Sequence, residues 1–195
     1  MRRHLYAPVI TLAGLLALAG CGSGSSKPAS GADRKEPSVP KGVAAQYATL
    51  EKEIAAEGGE QKVGEWRIAY IVEGAEPWHE VAGGTSSYRA VKPGETFHIE
   101  IIPIEAATGR IVPDVPIKLS VVDASGKVVD SDALHFIYGE FFHYANNFSV
   151  PDGTYTLKAE IGVPDFPRHG EQNETPALAE ATTVNFDNVE LKSEG

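Results

Sequence analysis

Apolar positions change their spacing twice along this chain. They run almost unbroken over residues 9–18, recur at spacings of four, three and four at Val43, Tyr47, Leu50 and Ile54, and alternate with polar residues beyond about residue 62. The first run is too short to cross a bilayer, is preceded by Arg2, Arg3 and Pro8, and reads as a signal peptide over residues 1–20. The second predicts a short amphipathic helix over 42–57, in a segment that closes at Gly58, with its apolar stripe packed on whatever follows. The third predicts strands at 65–72, 96–104, 117–122, 127–129, 133–138, 144–150, 154–161 and 182–191. Between them lie turn signals at 92–94 (Lys-Pro-Gly), 123–126 (Asp-Ala-Ser-Gly) and 151–153 (Pro-Asp-Gly). Many short strands without intervening helices predict an all-β domain over 62–192, an immunoglobulin-like antiparallel β-sandwich. The segment 162–181 holds Pro164, Pro167 and Pro176 and reads as a long loop, the kind that is functional or mobile.

Cys21 is the chain's one cysteine and follows Leu18, Ala19 and Gly20. Small residues before a cysteine resemble the lipobox of bacterial lipoproteins, so Cys21 is expected to carry a lipid anchor; a free thiol is the alternative. Residues 21–41, rich in Gly, Ser, Lys and Pro, read as a flexible tether. These readings place the protein on the extracytoplasmic face of a bacterial membrane. Loss of residues 1–20 leaves 15 basic against 27 acidic side chains, a formal charge of −12 on 175 residues. Such a chain attracts cations and repels nucleic acid, which is excluded as a partner. Met1 is the only methionine. A metal site here must therefore use imidazole, carboxylate or backbone oxygen.

Five histidines remain after residue 20: His79, His98, His135, His143 and His169. Phe97, Ile99 and Ile101 share one face of their strand, which leaves His98 and Glu100 side by side on the other, roughly 7 Å apart at the backbone. That pair is either half of a metal site or a polar pair facing solvent. His135 and His143 lie among aromatics, as ligands or as core histidines do. His169 follows Arg168 on the long loop, and His79 beside Trp78 reads as part of a packed surface turn outside the site. No nucleotide-binding glycine motif, Gly-x-Ser-x-Gly or His-Glu-x-x-His pattern is present, and no nucleophile stands out; the chain is not expected to be an enzyme.

Taken in order, His98-Ile99-Glu100, His143-Tyr144-Ala145-Asn146, and Phe166-Pro167-Arg168-His169 resemble the bacterial iron-transport-associated periplasmic proteins. These are immunoglobulin-like metal-binding proteins encoded beside iron permeases. The resemblance covers about residues 64–190, with Ala145 where the family has glycine and no methionine ahead of His143. It implies a site for Fe(II) or Cu(II) made by His98, Glu100, His143 and His169, with His135 in the methionine's place, or a smaller set if His135 does not converge. It also implies assistance to an iron permease, and a homodimer. Copper sequestration at the same site, or a cell-surface interaction module without metal, are the alternative functions.

Overall fold

The computed structural model describes residues 39–193; the expected signal peptide, Cys21 and nearly all of the expected tether lie outside them. Lys41–Glu57 form helix α1, which buries Leu50 and Ile54. It ends at Gly58, whose N–H donates to the Ile54 carbonyl, and the chain passes directly into strand β1, Gly58–Val63. A Cβ on Gly58 would sit 1.9 Å from the Tyr70 carbonyl oxygen, so a side chain there would force the junction apart.

Ten further strands follow: β2 (Trp66–Gly74), β3 (Trp78–Ala82), β4 (Thr85–Arg89), β5 (Phe97–Glu105), β6 (Ile117–Val122), β7 (Val128–Ala133), β8 (His135–Tyr138), β9 (Phe142–Phe148), β10 (Gly153–Ile161) and β11 (Thr182–Leu191). They form a five-stranded sheet ordered β1-β2-β5-β9-β8, a four-stranded sheet ordered β11-β10-β6-β7, and a separate β3-β4 hairpin. All pairings are antiparallel. This is the expected immunoglobulin-like sandwich with a short helix before it. Between the two sheets lie Ile68, Phe97, Ile99, Ile101, Leu119 and Leu157, all buried, which is the apolar half of each period-two pattern.

Two elements arise where no strand was expected. β1 has the unpromising sequence Gly-Gly-Glu-Gln-Lys-Val and owes its extended form to pairing along β2. The hairpin turns on Gly83 and Gly84, with φ of +58° and +78°, the left-handed pair that a tight two-residue connection requires. The predicted segment 133–138 is shorter in the structure, because β7 ends in one sheet at Ala133 and β8 begins in the other at His135.

The outer face of the larger sheet positions the site. At one end α1 covers it: Leu50 and Ile54 pack on Ala69, Ile71, Ile102, Ile104 and Phe141. Beyond the helix, the same face of β5 carries Glu100 and His98. β5 is buried on both faces as far as Ile104, so the reading of His98 and Glu100 as a solvent-facing pair is overturned.

Candidate metal centre

Strand register assembles the centre. His98 lies opposite Asn147 of β9 and Glu100 opposite Ala145, while His135 of β8 lies opposite Ala145 from the other side. Period two on β9 puts His143, Ala145 and Asn147 on one face. Tyr144, pointing the other way, enters the core, where its hydroxyl accepts from the Val115 N–H (2.9 Å) and donates to the Val112 carbonyl (3.2 Å). That clamp fixes which way His143 faces. Ala145, wholly buried, forms a small floor with imidazoles and a carboxylate around it.

His98, Glu100 and His143 are exposed by only 2%, 5% and 7%, and each offers a ligand atom within 4.8 Å of the others. Donors on one ion at about 2.0–2.2 Å are no more than about 4.4 Å apart, so a contraction of a few tenths of an ångström closes the set. His143 Nε2 stands 3.4 Å from Glu100 Oε1, and the rings of His98 and His143 meet edge-on with centroids 6.1 Å apart. Glu100 Oε2 and His143 Nδ1 are buried without a hydrogen-bond partner among the described residues. Orphaned buried polar atoms are rare in folded proteins, and a bound cation is one way to satisfy them.

Burial pushes the Glu100 carboxyl up to about 8, with the charges of Glu73, Glu53 and Glu76 adding to it. Burial, and then the neighbouring His98, bring His143 down to about 4. His98 is likewise lowered by burial, against the opposing effect of the hydrogen bond its Nδ1 donates to Asn147 Oδ1. Neutral imidazoles at neutral pH are in the form that binds a metal.

Asn147 is the hub behind His98. Its Nδ2 donates to the Glu76 carbonyl (2.8 Å) and to Glu95 Oε2 (3.0 Å), while its Oδ1 accepts from the Glu76 N–H (3.2 Å). Those partners assign the amide orientation and leave Oδ1 2.9 Å from His98 Nδ1. The proton of His98 thus sits on Nδ1, and Nε2 keeps its lone pair. Glu95, its side chain 8% exposed, pairs with Arg89. Burial alone would raise its carboxyl, but hydrogen bonds from Arg89, the Lys92 N–H and Asn147 hold it at about 2. Arg89 lies over the Trp78 ring at 3.8 Å, and Trp78 in turn stands 6.0 Å from the His98 ring and 5.7 Å from that of His135. The hairpin therefore roofs an open groove of about 800 Å³ lined by Trp78, His79, His98, His135 and His143.

The expected residues separate as follows. His98, Glu100 and His143 form the compact cluster. His135 lines the same groove, exposed, across Ala145 from Glu100, and stands outside the cluster. His169 lines a different pocket with Glu105, Arg110, Phe166, Arg168 and Leu178. His79 belongs to β3 rather than to a turn; it is exposed and meets Tyr88 edge-on at 5.4 Å. Cys21 lies outside the described residues. Asn147 and Trp78 were missed. Their signals were the alternation His143, Ala145, Asn147 along one strand face and the Gly83-Gly84 turn between two five-residue runs.

Fold and site together define a class: an immunoglobulin-like sandwich with a buried His-Glu-His cluster on the outer face of its larger sheet. Its fold is shared with P19 and FetP. The chain is similar to a copper-bound variant of Campylobacter jejuni P19 (TM-score 0.56, 16% identity, covering 71% of this chain and 98% of that one). It is also similar to copper-reconstituted P19 of that organism (0.54, 16%, 70% and 97%) and to FetP of uropathogenic Escherichia coli strain F11 (0.51, 17%, 70% and 96%). No family model matches the chain, and no curated protein sequence matches it.

Proposed function

We propose that this protein binds a divalent transition metal outside the cytoplasm, through His98, Glu100 and His143, and passes iron toward a membrane permease. One observation carries this reading: three buried ligating side chains converge, and two of their polar atoms have no hydrogen-bond partner among the described residues. Two imidazoles and a carboxylate suit Fe(II), Cu(II) and Zn(II), and open positions remain for water or for His135 at the groove. The copper bound by the P19 structures supports the same chemistry. When bound, the metal supplies the positive charge that Glu100 and the acidic surroundings lack. Lipid anchoring at Cys21 keeps the site at the membrane. His169, in its separate pocket, joins the ligand set only from a second copy of the chain, the homodimer that the resemblance implies.

Titration of the chelator-stripped protein with Cu(II), and with Fe(II) without oxygen, tests this. His143→Ala is expected to weaken binding at least tenfold while the metal-free protein melts almost unchanged; metal affinity that survives both His98→Ala and His143→Ala overturns the site. His169→Ala separates the dimeric ligand set, where affinity falls, from the single-chain set, where it holds. Copper sequestration would use the same residues and is distinguished by growth under iron limitation, which then does not depend on the protein. A second reading, an interaction surface, is favoured by Phe136, Tyr138 and Phe142, which stay 46%, 76% and 38% exposed beside the groove.

A further inference from the structure

The loop after β5 and the long loop after β10 each bring an arginine to one pocket. Arg67 pairs with Glu51 and Glu60, and Arg89 with Glu80 and Glu95, whereas Arg110 and Arg168 form no ion pair among the described residues. Unclaimed guanidinia are unexpected in a chain with 27 acidic against 17 basic side chains. Both line a pocket of about 310 Å³ together with Glu105, Val112, Phe166 and Leu178. Arg168 is half-buried, its guanidinium stands 5.6 Å from the Phe166 ring, and its Nη1 is buried with no hydrogen-bond partner among the described residues. The fold fixes the walls. The two loops join where the Asp165 N–H donates to the Asp114 carbonyl (2.8 Å), and the long loop is pinned again where the Leu178 N–H donates to Glu65 Oε2 (2.9 Å). Leu178 is buried there at φ +58°, a conformation that a branched side chain keeps only where its surroundings over-determine it.

A guanidinium N–H taken out of water without an acceptor is costly, and a carboxylate is the acceptor its planar fork fits. Glu105, the one carboxylate in the lining, accepts from the Thr108 hydroxyl; set against two arginines, it leaves one positive charge uncompensated. We propose that this pocket binds a small organic monocarboxylate, with the carboxylate on Arg168 Nη1 and Arg110 and the apolar body against Val112, Phe166 and Leu178. A cavity of this size lies at the small end of ligand sites, which favours a free acid over the end of a polypeptide. Inorganic phosphate would leave the apolar wall unused. The pocket shares no residue with His98, Glu100 and His143, so the inference goes beyond the metal centre proposed above.

The test titrates the protein with acetate and benzoate, read by saturation-transfer NMR of the ligand, with benzyl alcohol as the uncharged counterpart and inorganic phosphate as the anion without an apolar body. Affinity is expected to rise from acetate to benzoate, reaching a Kd of about 1 mM or tighter for benzoate. Benzyl alcohol and phosphate should each bind weaker by about tenfold or more. Arg168→Gln should weaken benzoate by about tenfold or more, and so should Arg110→Gln. Arg110 is exposed, so its replacement keeps the test decisive if Arg168→Gln fails to fold. Three outcomes overturn the pocket: no saturable binding of either acid, phosphate or benzyl alcohol binding as tightly as benzoate, or benzoate affinity that a folded arginine variant retains. Cu(II) titration of the wild type reads the histidine centre separately, so lost copper binding with benzoate retained counts against that centre alone.

Discussion

Asn147 Oδ1 lies 2.9 Å from His98 Nδ1, and the amide's other contacts leave it no choice of orientation. This one contact sets the tautomer, the ring angle and the free nitrogen of a buried imidazole. Outer partners of this kind typically change metal affinity by about 10–100-fold when removed. Asn147→Ala is accordingly expected to weaken Cu(II) by about that factor with His98 still present. Titration calorimetry checks it, and unchanged affinity would show that the packing of Trp78 alone orients the ring.

Metal binding should expel a proton. The Glu100 carboxyl stands at about 8, so at pH 7 it is mostly protonated and must ionise to take a metal. About one proton per metal is expected at pH 7, fading above pH 8. Titrations in buffers of different ionisation enthalpy measure it.

The metal-free protein should lose stability as pH rises from 6.5 to 8. Glu100 gives up its proton near 4.5 when unfolded and near 8 when folded, so between these values the folded state holds the extra proton and each rise in pH costs stability. Glu73, raised chiefly by burial to about 7, acts in the same sense. His143 opposes them, shedding its proton near 4 when folded and near 6.5 when unfolded, so it adds stability with pH only up to 6.5. Above 6.5 the carboxyl slopes stand alone. Urea melts across this range, with and without Cu(II), check the fall and its reversal by metal.

Tyr144→Phe should cost about 1–3 kcal/mol, since it strips the Val115 N–H of its partner in a buried place. Because the same hydroxyl holds the strand that presents His143, metal affinity should fall as well. Chemical denaturation and Cu(II) titration of the same variant measure both effects.

Ala145→Val should fill the floor between Glu100 and His135. Overpacking of this size costs about 1–3 kcal/mol. A larger loss is expected in metal binding than in folding, and a variant that binds copper normally would mean the ion sits higher in the groove.

Much of this architecture was legible in the amino-acid pattern, for reasons that also mark where legibility stopped. Period two in β5 separated Phe97, Ile99 and Ile101 from His98 and Glu100, because alternation is a property of the strand itself. Whether the polar half meets water is decided elsewhere, by α1 at one end of the sheet and by Trp78 at the other. The aromatic setting of His135 and His143 left open whether they serve as ligands or as core residues, and the pairing of β8 with β9 brings both to one groove. Their relative depth depends on register across the β8-β9 turn, which leaves His143 buried and His135 at the rim. β1 was invisible because its residues favour no strand and pairing alone extends them. His169 sits where the fold of the 162–181 loop carries it, and no local pattern encodes that path.

The two tryptophans are divided by the fold into a reporter and its control. Trp66 is sealed in the core, 3% exposed, with its indole N–H on the Glu180 carbonyl. Trp78 faces His98 and His135 across the groove with Arg89 on its ring. A paramagnetic ion on the histidines lies within quenching range of one emitter and far less so of the other. The chain's own fluorescence can therefore follow occupancy of the centre without a dye, and Trp78→Phe should silence that response while the core signal continues.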